Sequence, residues 1–351
     1  MGFLKNAWYV AMWAENLKEG EPRDITILDQ AIVVFRTAGG GVAALENRCP
    51  HRSAPLHLGS VCADGTIECG YHGLRFDGSG SCVLNPHGKG IIPAGARVRP
   101  YPVCEKHTLI WVWLGDRPAD PAEIPDLSAL DNSPQEHVTL RDRLEMDVHY
   151  QLVVDNLLDL SHTAYLHKGV LGNPQTTAAA EIAVQQSGNT VTVSRWMPAV
   201  PPPGLHDLMF HRDGALVDHW AAMTWHAPSV LVNDAGVTRP GAGQAEGTTL
   251  LGFHLLTPVS RRKTIYHFAA VRMNPVPFPE PLRLEIMEQL SRLRRQAFTT
   301  EDEPMIEAQQ RAIDHVGEEN VTPVLLEVDG GAVRYRRVLE RLLKDEAACA
   351  S

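Results

Sequence analysis

The sequence predicts an α+β chain of two domains, a small all-β module followed by a larger unit of antiparallel sheet and helices. Three observations predict it. The first third alternates short apolar runs with glycine-rich turns, residues 190–272 hold a succession of strand-length apolar runs, and helical spacing of apolar residues appears on either side of those runs. Strands in series bracketed by helices, rather than strands and helices alternating one by one, belong to the α+β class. A length of 351 residues favours two hydrophobic cores over one.

In the first module, Ala31 to Arg36, Val42 to Leu45 and Leu109 to Leu114 read as strands. Asp77-Gly78-Ser79-Gly80 reads as a tight turn between strands. The module ends where Asp116-Arg117-Pro118-Ala119-Asp120-Pro121 reads as a linker, so the domains are taken as residues 1–117 and 118–351. In the second domain, Tyr150 to His167 carries Leu and Val at helical spacing and reads as one helix. Pro198 to Gly204 is a proline-rich loop. Thr190 to Trp196, Ala215 to Trp225, Thr248 to Leu256 and Thr264 to Arg272 read as successive strands. Pro281 to Ala312 reads as a long helix with room for an interruption. Val333 to Lys344 is a short terminal helix with Leu339, Leu342 and Leu343 as its apolar face.

The net charge of −10 argues against nucleic acid, whose phosphates call for clustered Lys and Arg. Local basic clusters exist at Arg261-Arg262-Lys263, at Arg292, Arg294 and Arg295, and at Arg334, Arg336 and Arg337; they read as solvated helix faces and turns. No run of 18 apolar residues is present, and Met1 to Val10 lacks the apolar core of a signal peptide, so a cytoplasmic protein is expected. In that compartment the six cysteines should not form disulfides.

Two constellations carry chemistry. The first is Cys49-Pro50-His51 with Cys69-Gly70-Tyr71-His72 further along the chain. Two Cys–His pairs on two loops can ligate a [2Fe–2S] cluster, with two thiolates on one iron and two imidazoles on the other. Neutral imidazoles reduce the negative charge and raise the reduction potential. A Cys₂His₂ zinc site uses the same ligand types, but a zinc-finger loop usually presents two Cys or two His, whereas each loop here presents one of each. Cys62, Cys82 and Cys104 fall outside this pattern and read as small buried apolar residues.

The second constellation is Asp155-Asn156-Leu157-Leu158-Asp159-Leu160-Ser161-His162-Thr163-Ala164-Tyr165-Leu166-His167. Two Asp, one Asn and two His crowd onto a segment that should be buried, where charge is costly unless paired or bound to metal. His162 and His167 can give two imidazoles to one ion, although five residues place them about 140° apart on a regular helix. A distortion, or a helix end near His167, is then required. Glu301, Asp302 or Glu303 can complete a two-His, one-carboxylate triad of the kind that binds non-haem iron(II) and leaves positions open for O₂. Spacing does not choose among the three. Asp159 lies one helical turn before His162 and can orient its imidazole. Asn156, a turn further back, is either a weak or distant ligand or a helix-buried amide.

The segments around both constellations, with His51-Arg52-Ser53-Ala54-Pro55-Leu56, Tyr71-His72-Gly73-Leu74 and Thr300-Glu301-Asp302-Glu303-Pro304-Met305-Ile306-Glu307, resemble the oxygenase components of Rieske non-haem iron systems. The vanillate, toluenesulfonate and dicamba members are the ones it looks like, over nearly the full length. The resemblance implies a Rieske domain followed by a helix-grip catalytic domain. It implies Cys49, His51, Cys69 and His72 on the cluster, and His162, His167 and Asp302 on the iron(II). It further implies that Asp159 bridges to His72 of a neighbouring subunit in a homotrimer. Electrons from NAD(P)H would come through a flavin reductase, with or without a ferredoxin. The chain has no Gly-x-Gly-x-x-Gly after a strand and should not bind nicotinamide itself.

Members with this pattern mostly oxidise a methyl group on an aromatic acid, so O-demethylation of a methoxy-aromatic acid with O₂ is the expected reaction. Ring dihydroxylation, methyl hydroxylation of an arylsulfonate, and electron transfer by the cluster alone are the alternatives. Asn233 and His254 are candidates for gripping a substrate carboxylate or phenol, or are merely structural. Trp220, Trp225 and Phe253 are core residues or, less simply, aromatic walls of the pocket.

Overall fold

The computed structural model describes residues 2–177 and 180–349. Apart from the two N-terminal residues, the chain divides into a unit of residues 3–126 with 257–260 and a unit of residues 127–256 with the rest of the C-terminal part.

The first unit holds three antiparallel sheets. One orders Trp8–Trp13, Leu109–Trp113 and Val103–Lys106; another orders Arg23–Ile27, Gln30–Arg36, Val42–Glu46 and Pro100–Tyr101. The β-branched and aromatic run Ile32-Val33-Val34-Phe35 is fully buried, as a strand covered on both faces should be. The third sheet is made of very short strands, Ser60–Val61, Ile67–Glu68, Arg75–Phe76 and Cys82–Leu84. Between its last two strands the Asp77 carboxylate accepts the backbone N–H groups of Ser79 and Ser81, which fixes the tight turn. Val33, Phe35, Leu45, Leu56, Ile67 and Phe76 form the core under this sheet, and Cys49 and Cys69 are embedded in it. Cys62, Cys82 and Cys104 are half-buried rather than buried.

The second unit is built on a seven-stranded sheet. Its order is Asp142–Met146, Lys263–Met273, Thr248–Ser260, Val230–Thr238, Val217–His226, Thr190–Val200 and Ile182–Ser187. From Ile182 onward each strand neighbours the next in sequence, a meander. The edge strands Asp142–Met146 and Ile182–Ser187 escaped sequence detection because they are short and at least half of their residues are polar.

Helices cover one face of this sheet, and three of them differ from expectation. The helix expected over Tyr150 to His167 stops at Leu158; Asp159 leaves helical backbone (φ −84°, ψ 93°), and His162–Ala164 form one separate 3₁₀ turn. The cause is local: the Asp159 carboxylate accepts the Ser161 N–H at 2.7 Å, a side-chain alternative to the helix ladder. The long late helix is two helices, Leu282–Gln296 and Glu303–Val316, joined by a π turn over Ala297–Asp302. Thr299 and Thr300 hydroxyls donate to the carbonyls four residues back, and Pro304 has no N–H to return to the ladder, so a regular α turn cannot close there. The terminal helix runs over Gly330–Cys349, longer than expected. Its buried stripe is Gly331, Tyr335, Val338 and Leu339, with Leu342 and Leu343 only half-buried.

Candidate metal centres and pocket

Two loops of the first unit repeat one another. Cys49 N–H donates to Ala54 O and Ser53 N–H to Cys49 O; Cys69 N–H donates to Leu74 O and Gly73 N–H to Cys69 O. The residue four after each cysteine has positive φ, 56° at Ser53 and 70° at Gly73, so each loop closes with the same turn. Gly59 lets the loops approach, since a Cβ there would lie 1.8 Å from the Glu68 carbonyl oxygen. Burial pushes the Cys49 thiol up to about 11; the adjacent Cys69 thiol adds to the rise, while the His51 and Arg52 N–H groups oppose it. The His51 and His72 rings stand 4.5 Å apart, and His72 O faces His87 Nε2 at 2.8 Å. Two neighbouring buried sulfurs under two more exposed imidazoles, with N–H groups aimed at sulfur, fit a cluster with thiolates inside and imidazoles outside.

In the second unit, the ligand atoms of His162, His167 and Asp302 lie within 4.8 Å of one another. Asp302 Oδ1 is 3.5 Å from His162 Nε2 and 3.2 Å from His167 Nε2. The break at Asp159 brings the two imidazoles together, and the π turn delivers Asp302 to them. Each Nδ1 is engaged elsewhere, His162 with the Asp159 carbonyl and His167 with Glu301 Oε2, both at 2.5 Å. That leaves both Nε2 atoms turned to the same point, the arrangement a metal needs. Burial pulls His162 down; at His167 burial opposes, but the carboxylates of Asp302 and Glu301 prevail and hold it up. Two imidazole nitrogens and one carboxylate oxygen on one side of a point suit iron(II) with open positions.

Three neighbours of the triad have defined partners. Asp159 does not orient His162 through its carboxylate: its carbonyl meets the ring, and its carboxylate caps Ser161. Asn156 donates from Nδ2 to Asp302 Oδ1 at 3.0 Å, a bond that aims the carboxylate. Glu301, weighed in the sequence only as a ligand, is the partner of His167.

A cavity opens onto this triad. Its floor is the inner face of the sheet, where the period of two lines up small side chains: Ala221 pairs with Ala235, which pairs with Leu250, and Asn233 pairs with Gly252. Asn233 and His254 both border it. A Cβ on Gly252 would sit 3.1 Å from His254 Nε2 and 3.2 Å from Arg294 Nη1, so a polar cradle converges where glycine leaves room. His254 Nδ1 is held by the Tyr266 hydroxyl at 2.5 Å and Arg294 Nη2 donates to Ala269 O at 3.2 Å, while among the described residues His254 Nε2, Asn233 Oδ1 and Arg294 Nε are buried without partners. The basic cluster at Arg292, Arg294 and Arg295, expected to be solvated, is so only in part. Arg292 and Arg295 are exposed, but Arg294 is buried and lies over the Phe298 ring at 5.6 Å. Its place on the stripe of Ile286, Met287, Leu290 and Ala297 was the available signal. Burial lowers Arg294 only to about 10, so it stays cationic at neutral pH, while burial drops His254 well below its ordinary value and keeps it neutral. Trp220, Trp225 and Phe253 are buried in the core and do not border the cavity.

The Rieske [2Fe-2S] domain model matches residues 7–102, and the vanillate O-demethylase oxygenase C-terminal domain model matches residues 146–345. The chain belongs to the vanillate O-demethylase oxygenase family. This Rieske oxygenase is 36% identical to the oxygenase component of dicamba O-demethylase from Stenotrophomonas maltophilia, over 99% of this chain and 100% of that one. It is also 36% identical to the oxygenase component of chloroacetanilide N-alkylformylase from Rhizorhabdus wittichii, over 98% and 97% of the two chains. Dicamba monooxygenase bound to 3,6-dichlorosalicylic acid superposes with a TM-score of 0.90 at 35% identity, covering 99% of each chain. The Rieske oxygenase described here therefore uses a [2Fe–2S] cluster and a mononuclear non-haem iron, as the oxygenase component of a multicomponent system with separate electron-transfer proteins. Among the described residues no helix is long and apolar enough to cross a membrane.

Proposed function

We propose that the chain O-demethylates a methoxy-substituted aromatic acid. The observation that carries this reading is the buried Arg294 cation, which donates to the Ala269 carbonyl but meets no carboxylate among the described residues, and which is grouped with His254 and Asn233 in the cavity that reaches the His162–His167–Asp302 triad. A buried guanidinium without a carboxylate is costly, and an anionic substrate group answers it. Cys49, His51, Cys69 and His72 would hold the cluster in a domain of residues 1–117, and His162, His167 and Asp302 the iron in a domain of residues 118–351. Iron at that triad supplies O₂ activation. Glu301 and the Asp159 carbonyl keep both imidazoles in the tautomer that presents Nε2, and Asn156 aims Asp302. The cradle fixes the acid so that the methoxy carbon meets the triad. Overall, substrate, O₂, two electrons and two protons give a hydroxymethyl ether and water; the hemiacetal then breaks to formaldehyde and a phenol, whose oxygen takes the hemiacetal proton.

NAD(P)H electrons would arrive through a flavin reductase, directly or by a ferredoxin, docking where His51 and His72 border a surface cleft with Asn85 and His87. A cytoplasmic homotrimer with Asp159 linked to a neighbour's His72 completes the proposal. A sulfonate would also satisfy Arg294, so methyl hydroxylation of an arylsulfonate is the second reading. The test is O₂ uptake with formaldehyde and product analysis over aromatic methyl ethers, arylsulfonates and aromatic amines, driven by a surrogate reductase. Formaldehyde released in step with O₂ from a methoxybenzoate is expected; a ring diol without formaldehyde would refute the reading.

A further inference from the structure

The cavity has a second polar region away from the Arg294 cradle. His206, on the short helix Gly204–Met209, and His219, on the strand Val217–His226, both border the cavity and are 4% and 5% exposed. Their rings lie 4.8 Å apart at 51°. Nε2 of His219 is buried without a hydrogen-bond partner among the described residues, and His206, also buried, has only the Ala235 backbone carbonyl to meet one of its nitrogens. Such atoms in a native interior need an answering group. Burial pulls His206 down to about 4 against the opposing bond to the Ala235 carbonyl; burial, then His206 and the Arg195 cation, hold His219 well below its ordinary value. Both rings are thus neutral at pH 7; His206, with its N–H on the Ala235 carbonyl, offers a lone pair, and His219 Nε2 offers an N–H.

Register sets the distance between the two polar regions. His219 pairs with Val237, whereas Asn233 pairs with Met223, four residues further along the same strand. At ~3.3 Å per residue that is ~13 Å, about the span of one aromatic ring with polar groups at opposite ends and a hydrogen bond at each. Ala221 and Ala235 form the floor between them and leave the height of a ring free.

We propose that His206 and His219 form a second subsite that takes a phenolic hydroxyl, making the substrate a hydroxylated methoxy-aromatic acid held at both ends. A hydroxyl can accept from one imidazole and donate to the other, using the donor and the acceptor that the pair presents. A methyl ether or a halogen cannot donate, and a carboxylate would bring a charge to two neutral rings. The proposal deepens the aromatic-acid reading and rests on it for the anionic end of the substrate.

The test is calorimetric titration of the oxidised, metal-loaded protein, without reductase, using two matched pairs of probes: benzoate against 4-hydroxybenzoate, and toluene against 4-methylphenol. In the wild type the hydroxyl should tighten binding about tenfold in each pair. His219→Leu and His206→Leu should each bring the two members of a pair to equal affinity and leave benzoate binding unchanged. His219→Gln, which keeps a donor and an acceptor, should restore part of the preference. Circular dichroism and the mononuclear iron content check that each variant is folded. Equal affinities in the wild type, as when ordered water alone fills the subsite, overturn the proposal. So does a hydroxyl preference that survives both leucine variants, or failure of all four probes to bind. If 4-methylphenol binds in a histidine-dependent way while both benzoates fail, the aromatic-acid reading falls and the hydroxyl subsite stands.

Discussion

The cluster loops and the iron site each use two histidines, yet they hold them by different means. Between Cys49 and His72, two turns of the same form position both Cys–His pairs, and the bonds that set them are backbone to backbone. At the iron site, His162, His167 and Asp302 come from a broken helix, a loop and a π turn far along the chain. Side chains then finish the work: Glu301 on His167, Asn156 on Asp302. A site made of turns is rigid by local geometry, so its weak points are positions where backbone packs on backbone. A site made of side-chain partners can be weakened by degrees.

The largest expected effect is at Asp302. Asp302→Ala removes the one carboxylate among the three converging groups. Activity should fall by roughly a thousandfold or more, with iron content dropping by the mononuclear ion and the cluster spectrum intact. Loss of the cluster absorption as well would break the distinction between the two centres. Gly59→Ala probes the other side. Its Cβ has no room against Glu68, so most of the cluster should be lost while the mononuclear site still binds added iron(II), measured by iron and sulfide analysis. An unaltered cluster yield would show that the loops give way more easily than their geometry implies.

Asp159→Asn sharpens the comparison at one residue. An amide oxygen can still cap Ser161, and the carbonyl on His162 is untouched, so both metals should stay bound. If the carboxylate also bridges to a partner's His72, single-turnover oxidation of pre-reduced enzyme should slow by about a hundredfold. Reoxidation at the wild-type rate, or an active monomer, would remove the bridge. The smallest effect is expected from Glu301→Gln, which still offers His167 an oxygen but not a charge. Iron(II) affinity should weaken about tenfold, read by competition with a chelator. A fall as steep as that of Asp302→Ala would make Glu301 a ligand.

Legibility followed the same division. The paired Cys–His loops could be read in the sequence because Cys-x-His and Cys-x-x-His report a local loop directly. The strands and helices of both units were also visible in outline, since apolar periodicity reports burial. The choice of Asp302 over Glu301 and Glu303 was not readable from spacing, because a π turn changes which residue faces inward. The end of the helix at Leu158 was hidden for a related reason: Asp159 breaks it with its own side chain, and Asp is common inside helices too. Arg294 was misread because its charged neighbours Arg292 and Arg295 do face solvent. Its burial depends on a sheet strand that brings Gly252 against it.

The π turn at Ala297–Asp302 works as a phase shifter between two helices. Each residue of an α-helix advances the side-chain direction by about 100°, so one residue more or less swings everything beyond it to a new heading. The wider turn absorbs such a residue in one place, and Leu282–Gln296 and Glu303–Val316 each keep their own buried stripe. Shortening residues 297–301 by one would tempt the segment back to a regular α ladder. Asp302 would then turn away from the two imidazoles, although every metal-binding side chain would still be present. Metal affinity in this fold is thus set by the length of a segment as well as by the identity of its ligands.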